Sequence, residues 1–287
     1  MGNSIGRRLD FTVEGCSALE IGPQPTHRMV RGYADSQYAW HPRDHLHIWF
    51  QQEKAASPAG SINAVSITYC IAAESKMDIV AEDHDLRILR LELGPYETNC
   101  YIVIDNHTKD SLIVDAPDEA EEILLRLRGT EPRLIALTHS HIDHIMALAD
   151  LKKALGVPLA AHPLDAAGLP EIIDLAVEDG IYLHIGQLDV HVIHTPGHTP
   201  GSVCYQTGKN LLAGDTIFPG GPGHTNTPSD FAAVLQSIEK KVLTLPPDTL
   251  ILPGHGKTTI LSDEKKAILR FRAASHAPDL CGDVLWQ

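Results

Sequence analysis

Basic residues are scarce in this chain: 23 Lys and Arg stand against 37 Asp and Glu in 287 residues, a formal net charge of −14. That balance argues against a nucleic-acid backbone or an anionic membrane as the main partner, because both need a basic face. The partner expected is a small-molecule substrate. Long apolar runs are missing as well. Residues 62–73 are too few, and too interrupted by Ser66 and Thr68, to reach the roughly 18 apolar residues of a membrane span. The first residues lack the apolar core of a secretory signal, so the sequence points to the cytoplasm. Cysteine is sparse: Cys16, Cys70, Cys100, Cys204 and Cys281 are odd in number and contain no CxxC pair. That pattern argues for reduced thiols and against a disulfide framework or a thiolate metal site. The rest of the composition, 43% hydrophobic and 21% charged, is that of an ordinary globular protein with ample length for a core.

Charge divides the chain. Residues 1–76 hold seven Lys/Arg and seven Asp/Glu, so the whole excess of negative charge belongs to residues 77–287. No sustained period of 2 or 3.6 is legible before Met77. The expectation is an N-terminal extension over 1–76, poorly ordered or loosely packed, followed by one catalytic domain over 77–287. Met77 is also a candidate for the true translation start.

Beyond Met77 the pattern is readable. Leu86–Leu93, Asn99–Ile104 and Ser111–Val114 read as strands between polar turns. A helix is expected after Pro117, with Asp118, Glu119, Glu121 and Glu122 in its first turns and Gly129 as its stop. Arg133–Leu137 reads as a strand and Ile145–Leu155 as a helix. Leu188–His194, Ser202–Tyr205, Leu211–Leu212 and Thr249–Leu252 read as further strands, with helices from Ser229 and over Asp263–Ala273. Strands and helices mixed throughout imply a layered α/β architecture.

The chemistry is concentrated in Thr138-His139-Ser140-His141-Ile142-Asp143-His144, between an apolar strand and an apolar-periodic helix. Two positions apart in extended chain, His139 and His141 face the same side. Asp143 and His144 lie where the chain turns toward the helix. Imidazole and carboxylate suit first-row divalent metals such as zinc, and three His and one Asp in six residues can serve two adjacent ions. Three more segments each set a polar side chain at a strand end among Gly and Pro. They are Thr195-Pro196-Gly197-His198-Thr199-Pro200-Gly201-Ser202, Gly214-Asp215-Thr216, and Pro253-Gly254-His255-Gly256.

In this order the four segments resemble the motif series of the metallo-β-lactamase superfamily, and within it the hydroxyacylglutathione hydrolase (glyoxalase II) branch. The resemblance spans roughly residues 85–265. It implies an αββα sandwich with metals at one edge. It implies that His139, His141 and His198 bind one metal, that Asp143, His144 and His255 bind a second, and that Asp215 bridges them. The ions implied are two divalent metals, zinc foremost, with iron or manganese as alternatives. The implied reaction is hydrolysis of a thioester or ester by a hydroxide held between the metals, with Asp143 orienting it. Alternatives within the same frame are a mononuclear iron persulfide dioxygenase and a lactonase.

Two departures bear on the substrate. Glyoxalase II enzymes carry basic and tyrosyl residues after the GDT segment to hold glutathione, whereas here the chain reads Ile217-Phe218-Pro219-Gly220-Gly221-Pro222-Gly223-His224. His224 stands where Lys or Arg is usual and is the candidate substrate contact. Only 32 residues follow His255, too few for the helical substrate domain of the longer enzymes. The other histidines, His162, His184, His191 and His194, read as structural or surface groups, with His194 also able to support His198. The run His41-Pro42-Arg43-Asp44-His45-Leu46-His47 only superficially resembles a metal cluster.

Overall fold

The computed structural model describes residues 76–286. The expectations for residues 1–76 therefore lie outside the described residues, except that Lys76 opens the first strand. Among the described residues no helix is long and apolar enough to cross a membrane.

Two mixed sheets carry the fold. The first contains β1 (Lys76–Glu82), β2 (Leu86–Leu93), β3 (Thr98–Asp105), β4 (Asp110–Val114), β5 (Glu131–Ala136), β6 (Leu159–Ala161) and β7 (Leu175–Ala176), side by side in chain order. Pairing is antiparallel from β1 to β4 and parallel from β4 to β7. Parallel neighbours need crossovers, and α1 (Ala120–Arg126) and α2 (Leu148–Leu155) supply the first two. The second sheet holds β8 (Tyr182–Ile185), β9 (Leu188–His194), β10 (Val203–Thr207) and β11 (Asn210–Gly214). After a short ribbon of β12 (Ile217–Phe218) and β13 (Gly221–Pro222), the chain runs through α3 (Pro228–Lys240). It then adds β14 (Leu250–Pro253) and β15 (Thr259–Ile260) to the second sheet and ends in α4 (Leu261–Ala273). The order in that sheet is β15-β14-β11-β10-β9-β8.

Side-chain alternation explains the layering. Successive residues of a strand point to opposite faces, and here both faces are apolar. Leu86, Ile88, Tyr101, Val103, Leu112, Val114, Leu134 and Ala136 of the first sheet pack against Val190, Val192, Val203, Tyr205, Leu212 and Leu252 of the second. Their neighbours Leu89, Leu91, Ile102, Ile113 and Ile135 face outward and are covered by Ile123, Leu127, Leu148 and Leu151 from the first two helices. On the far side Cys204, Leu211, Ala213 and Ile251 are covered by Phe231, Val234 and Ile238 of α3 and by Leu261, Ile268 and Phe271 of α4. The result is an αββα sandwich, the architecture the motifs imply. Cys100 and Cys204 are buried free thiols and Cys281 is a half-buried one.

Local differences have physical causes. The helix expected from Ile145 begins at Leu148, because Ile142–His144 form a separate 3-10 turn. The backbone between them is held by the loop after β4: Ala116 N donates to His144 O at 2.8 Å and Ala147 N to Ala116 O at 2.9 Å. α3 starts one residue earlier than expected, with Thr227 Oγ1 accepting from Asp230 N at 3.2 Å and Pro228 in the first turn. β6, β7, β8, β12, β13 and β15 have two to four residues each, too short to show a period.

Candidate metal centre

The strands deliver every candidate residue to one end of the sandwich. β4 ends just before Asp115, β5 before Thr138 and His139, β9 before the 195–202 loop, β11 at Gly214 before Asp215, and β14 before Gly254 and His255. Backbone bonds lock these ends together. Val203 N donates to Thr138 O at 2.9 Å, Gly254 N to Gly214 O at 2.8 Å, and Asn99 N to Gly254 O at 2.7 Å.

Seven residues converge there, all named in the sequence. His139 Nε2 lies 3.1 Å from His141 Nδ1 and 3.2 Å from His198 Nε2. Beside this trio, His255 Nε2 is 3.1 Å from Asp143 Oδ2, and His144 Nε2 is 3.7 Å from the same oxygen. Asp215 stands between the two groups. Its Oδ1 is 3.4 Å from His144 Nε2, and its Oδ2 is 3.4 Å from His198 Nε2 and 3.7 Å from His255 Nε2.

Donor chemistry tests whether cations fit. The outer nitrogen of each of four imidazoles meets an acceptor. His139 Nδ1 is 3.0 Å from Thr138 Oγ1, whose own proton goes to Asp115 Oδ2 at 2.8 Å. His144 Nδ1 donates to Asp115 Oδ2 at 2.8 Å, His198 Nδ1 to His224 O at 2.8 Å, and His255 Nδ1 to Tyr96 O at 3.1 Å. With the proton outside, the inner Nε2 presents a lone pair. Lone pairs facing each other at these distances repel unless a proton or cation lies among them. Two buried atoms, His144 Nε2 and Asp215 Oδ1, have no hydrogen-bond partner, and buried polar groups rarely go unsatisfied. The donor set fits a pair of divalent cations.

Electrostatics point the same way. Burial would raise the Asp215 carboxyl, yet the imidazoles of His144, His139 and His198 hold it far below the usual carboxylate range. Burial would lower His144, but Asp115 and Asp215 outweigh it and hold that imidazole well above its ordinary value. His139 is pushed well below its ordinary value by burial and by the charge of His144. Asp115 and Asp215 thus draw positive charge to His144, which lies between them.

Close approach explains two glycines. A Cβ on Gly254 would sit 2.1 Å from Asp215 Oδ1 and 2.7 Å from His144 Cε1. One on Gly223 would sit 2.0 Å from Asp215 O and 2.9 Å from His198 Nδ1. Any side chain at either position would displace a candidate ligand.

A family model described as the metallo-beta-lactamase superfamily matches residues 93–255. The chain belongs to the metallo-β-lactamase superfamily. Among curated relatives in this superfamily, the hydroxyacylglutathione hydrolase GloC of Haemophilus influenzae is 32% identical over 206 residues, covering 62% of this chain and 96% of that protein. Of solved structures, the BLEG-1 B3 metallo-β-lactamase aligns with a TM-score of 0.58 at 31% identity, covering 62% of this chain and 96% of the other. TTHA1623 in a di-iron-bound form aligns with a TM-score of 0.52 at 32% identity, with the same coverages. That protein is similar to this chain and binds two irons in that form.

Two aspartates escaped the sequence reading. Asp115, buried, accepts from Thr138 N at 2.7 Å as well as from the Thr138 hydroxyl and His144. Asp165 accepts from Ser140 N at 3.0 Å, Thr199 Oγ1 at 2.8 Å and Gly201 N at 2.7 Å. Asp165 therefore ties the loop carrying His139 and His141 to the loop carrying His198. Asp115 had a signal, a carboxylate directly after an apolar strand. Asp165 had none, since its partners lie 25 to 36 residues away. His194 does not reach His198: its Nε2 faces Pro200 O at 2.9 Å, and its ring stacks on His162 at 4.1 Å. His224 contributes its carbonyl to His198, while its half-exposed imidazole turns to Asp283 at 2.9 Å. The C-terminal strap fixes that loop, with Trp286 N donating to Gly220 O at 2.7 Å and Thr225 bridging to Gly282.

Proposed function

We propose that this protein hydrolyses a thioester or ester of a small molecule, using two divalent cations, zinc foremost. The carrying observation is the pair of ligand clusters sharing Asp215 with their imidazole lone pairs turned inward. His139, His141 and His198 would hold one cation and Asp143, His144 and His255 the other, with Asp215 placed between the two groups. The reading assigns the chemistry to residues 77–287. When bound, such a pair supplies a water acidic enough to deprotonate near neutral pH and a Lewis acid for the acyl oxygen.

The chain's own residues do the rest. His139 and His144 are buried and form the floor, whereas His141, Asp143 and His255 reach the surface. Substrate therefore approaches from the side of Asp143. Asp143, whose Oδ2 is already within reach of His255 and Thr98 Oγ1, would help to hold the cation and orient the attacking water. Ile142 and Met146 are exposed apolar residues beside Asp143 and His144, and Tyr96, also exposed, meets His255 through its carbonyl; they offer an acyl group apolar contact. The 217–226 loop offers His224 but no Lys or Arg, which favours a thioester that does not rely on a cationic clamp. Likeness to GloC supports the thioester reading, and likeness to BLEG-1 makes a β-lactam the competing substrate.

A panel decides between them. The metal-loaded full chain is assayed on a glutathione thioester, a coenzyme A thioester, a lactone, a phosphodiester and a β-lactam. Thioester turnover at least tenfold above the others in kcat/KM is expected. A β-lactam or phosphodiester preference overturns the reading.

A further inference from the structure

The opposite end of the first sheet carries a second convergence of ligand atoms. His84 and Asp85 lie in the turn between β1 and β2, and His107 lies in the turn between β3 and β4. Asp85 Oδ1 meets both imidazoles, His84 Nδ1 at 2.8 Å and His107 Nε2 at 2.9 Å. The two rings are 4.8 Å apart at 57°, and one ligand atom from each residue lies within 4.8 Å of the others. No residue of the catalytic reading takes part. β4 runs from its start beside this turn to its end before Asp115, five residues or roughly 16 Å of strand from the candidate metal centre.

The backbone holds these residues without help from the three side chains. Asp83 Oδ1 accepts from Asp85 N at 2.8 Å and Leu86 N at 2.9 Å. Asn106 joins the two turns, its backbone N donating to Asp85 O at 2.8 Å and its side chain to Asp83 O at 3.0 Å. Buried Asp105 then fixes the other turn by accepting from His107 N at 2.7 Å and Thr108 N at 3.2 Å. Ordering the ligand-bearing backbone is therefore complete before any ion arrives, which lowers the entropic cost of binding.

We propose that His84, Asp85 and His107 form a separate surface site for a borderline divalent cation, of the zinc or copper(II) class. Two imidazoles and one carboxylate are the ligand set such ions prefer, whereas calcium and magnesium take oxygen ligands. Three protein ligands leave a coordination position to solvent. The side chains are 84%, 67% and 35% exposed for His84, Asp85 and His107, so the ion exchanges freely, unlike one on the buried floor of the candidate metal centre. Bound there, it clips the β1–β2 turn to the β3–β4 turn.

Equilibrium dialysis of the full chain against free zinc, raised from nanomolar to tens of micromolar, tests the site. Zinc per chain is measured for the wild type, for the His84→Ala/His107→Ala double variant and for Asp85→Asn. All three positions are on the surface, and circular dichroism verifies the fold. A saturable difference approaching one zinc per chain between wild type and the double variant is expected, with Asp85→Asn weakening the extra site and thioester turnover unchanged. Because the readout is a difference, it holds whatever number of ions the candidate metal centre takes. Equal zinc uptake by the wild type and the double variant across the range, or a difference that never saturates, overturns the proposal.

Discussion

Asp105 and Asp215 are both aspartates beside the end of a strand, at opposite ends of the sandwich, and their surroundings differ in one decisive respect. Asp105 is buried and satisfied by backbone amides: His107 and Thr108 donate to Oδ1, and Gln187 donates to Oδ2 at 2.5 Å. Asp215 meets no backbone amide in this way: it faces the inner nitrogens of His144 and His198 at 3.4 Å, and its Oδ1 has no hydrogen-bond partner. A carboxylate answered by amides holds loops together. A carboxylate ringed by imidazole nitrogens and left without a hydrogen bond is arranged for a cation. The difference separates a structural aspartate from a candidate ligand without reference to any relative.

The largest effect expected from this contrast falls on Asp215. Losing a residue that merely orients a ligand costs 10–100-fold in affinity or activity, so Asp215→Ala, or His139→Ala, is expected to lose more than about 100-fold in kcat/KM. Steady-state kinetics with metal analysis on the same samples checks this. Near-normal activity at unchanged metal content would collapse the distinction between the two aspartates.

Asp105→Asn is expected to do the reverse, lowering stability by about 2 kcal/mol while kcat of the folded enzyme stays the same. Burial raises the Asp105 carboxyl, but the amides of Gln187, His107 and Thr108 outweigh it and hold it below the usual carboxylate range. Its contribution is therefore present above the ordinary pKa of an aspartate and lost as pH falls through the depressed native value. Urea denaturation from neutral to acid pH should show a flatter acid limb for the variant. An unchanged limb would mean the three amides stabilise nothing.

Asp115 sharpens the comparison, because it is buried like Asp105 yet acts on a candidate ligand. Asp115→Ala is expected to weaken metal binding by about 10–100-fold through loss of the His144 orientation. Excess metal should restore much of the turnover, as it would not for Asp215→Ala. Competition with a chromophoric chelator measures the affinity. An undiminished affinity would reduce Asp115 to a loop tie.

The smallest effect belongs to His224. Its carbonyl already serves His198, and the backbone survives substitution, so His224→Ala is expected to raise KM by about 3-fold, one ordinary hydrogen bond, with kcat unchanged. Turnover and KM both untouched would leave the imidazole a partner of Asp283 alone.

Legibility followed the range of the interactions. The long strands and amphipathic helices showed in the sequence, since each is an apolar period written over consecutive residues. The helix after His144 was read three residues too long, because Ala116 and Ala147 bond across to each other and local periodicity cannot register that. β6, β7, β8, β12, β13 and β15 were invisible, being too short for any period and defined by their neighbours.

The candidate ligands were determined by the sequence itself. His139, His141, Asp143, His144, His198, Asp215 and His255 sit in loops shaped by adjacent glycines, prolines and strand ends, so residue type and position mark them out, and the order of their motifs, which resembles that of the superfamily, implies the set. Only the tertiary structure decided which nitrogen His144, His198 and His255 turn inward. The acceptors that set the tautomers come from elsewhere: Asp115 lies 29 residues from His144, the His224 carbonyl 26 from His198, and the Tyr96 carbonyl 159 from His255. A hydrogen bond forms between atoms that folding brings within about 3 Å, and a linear sequence does not record which distant atoms those are.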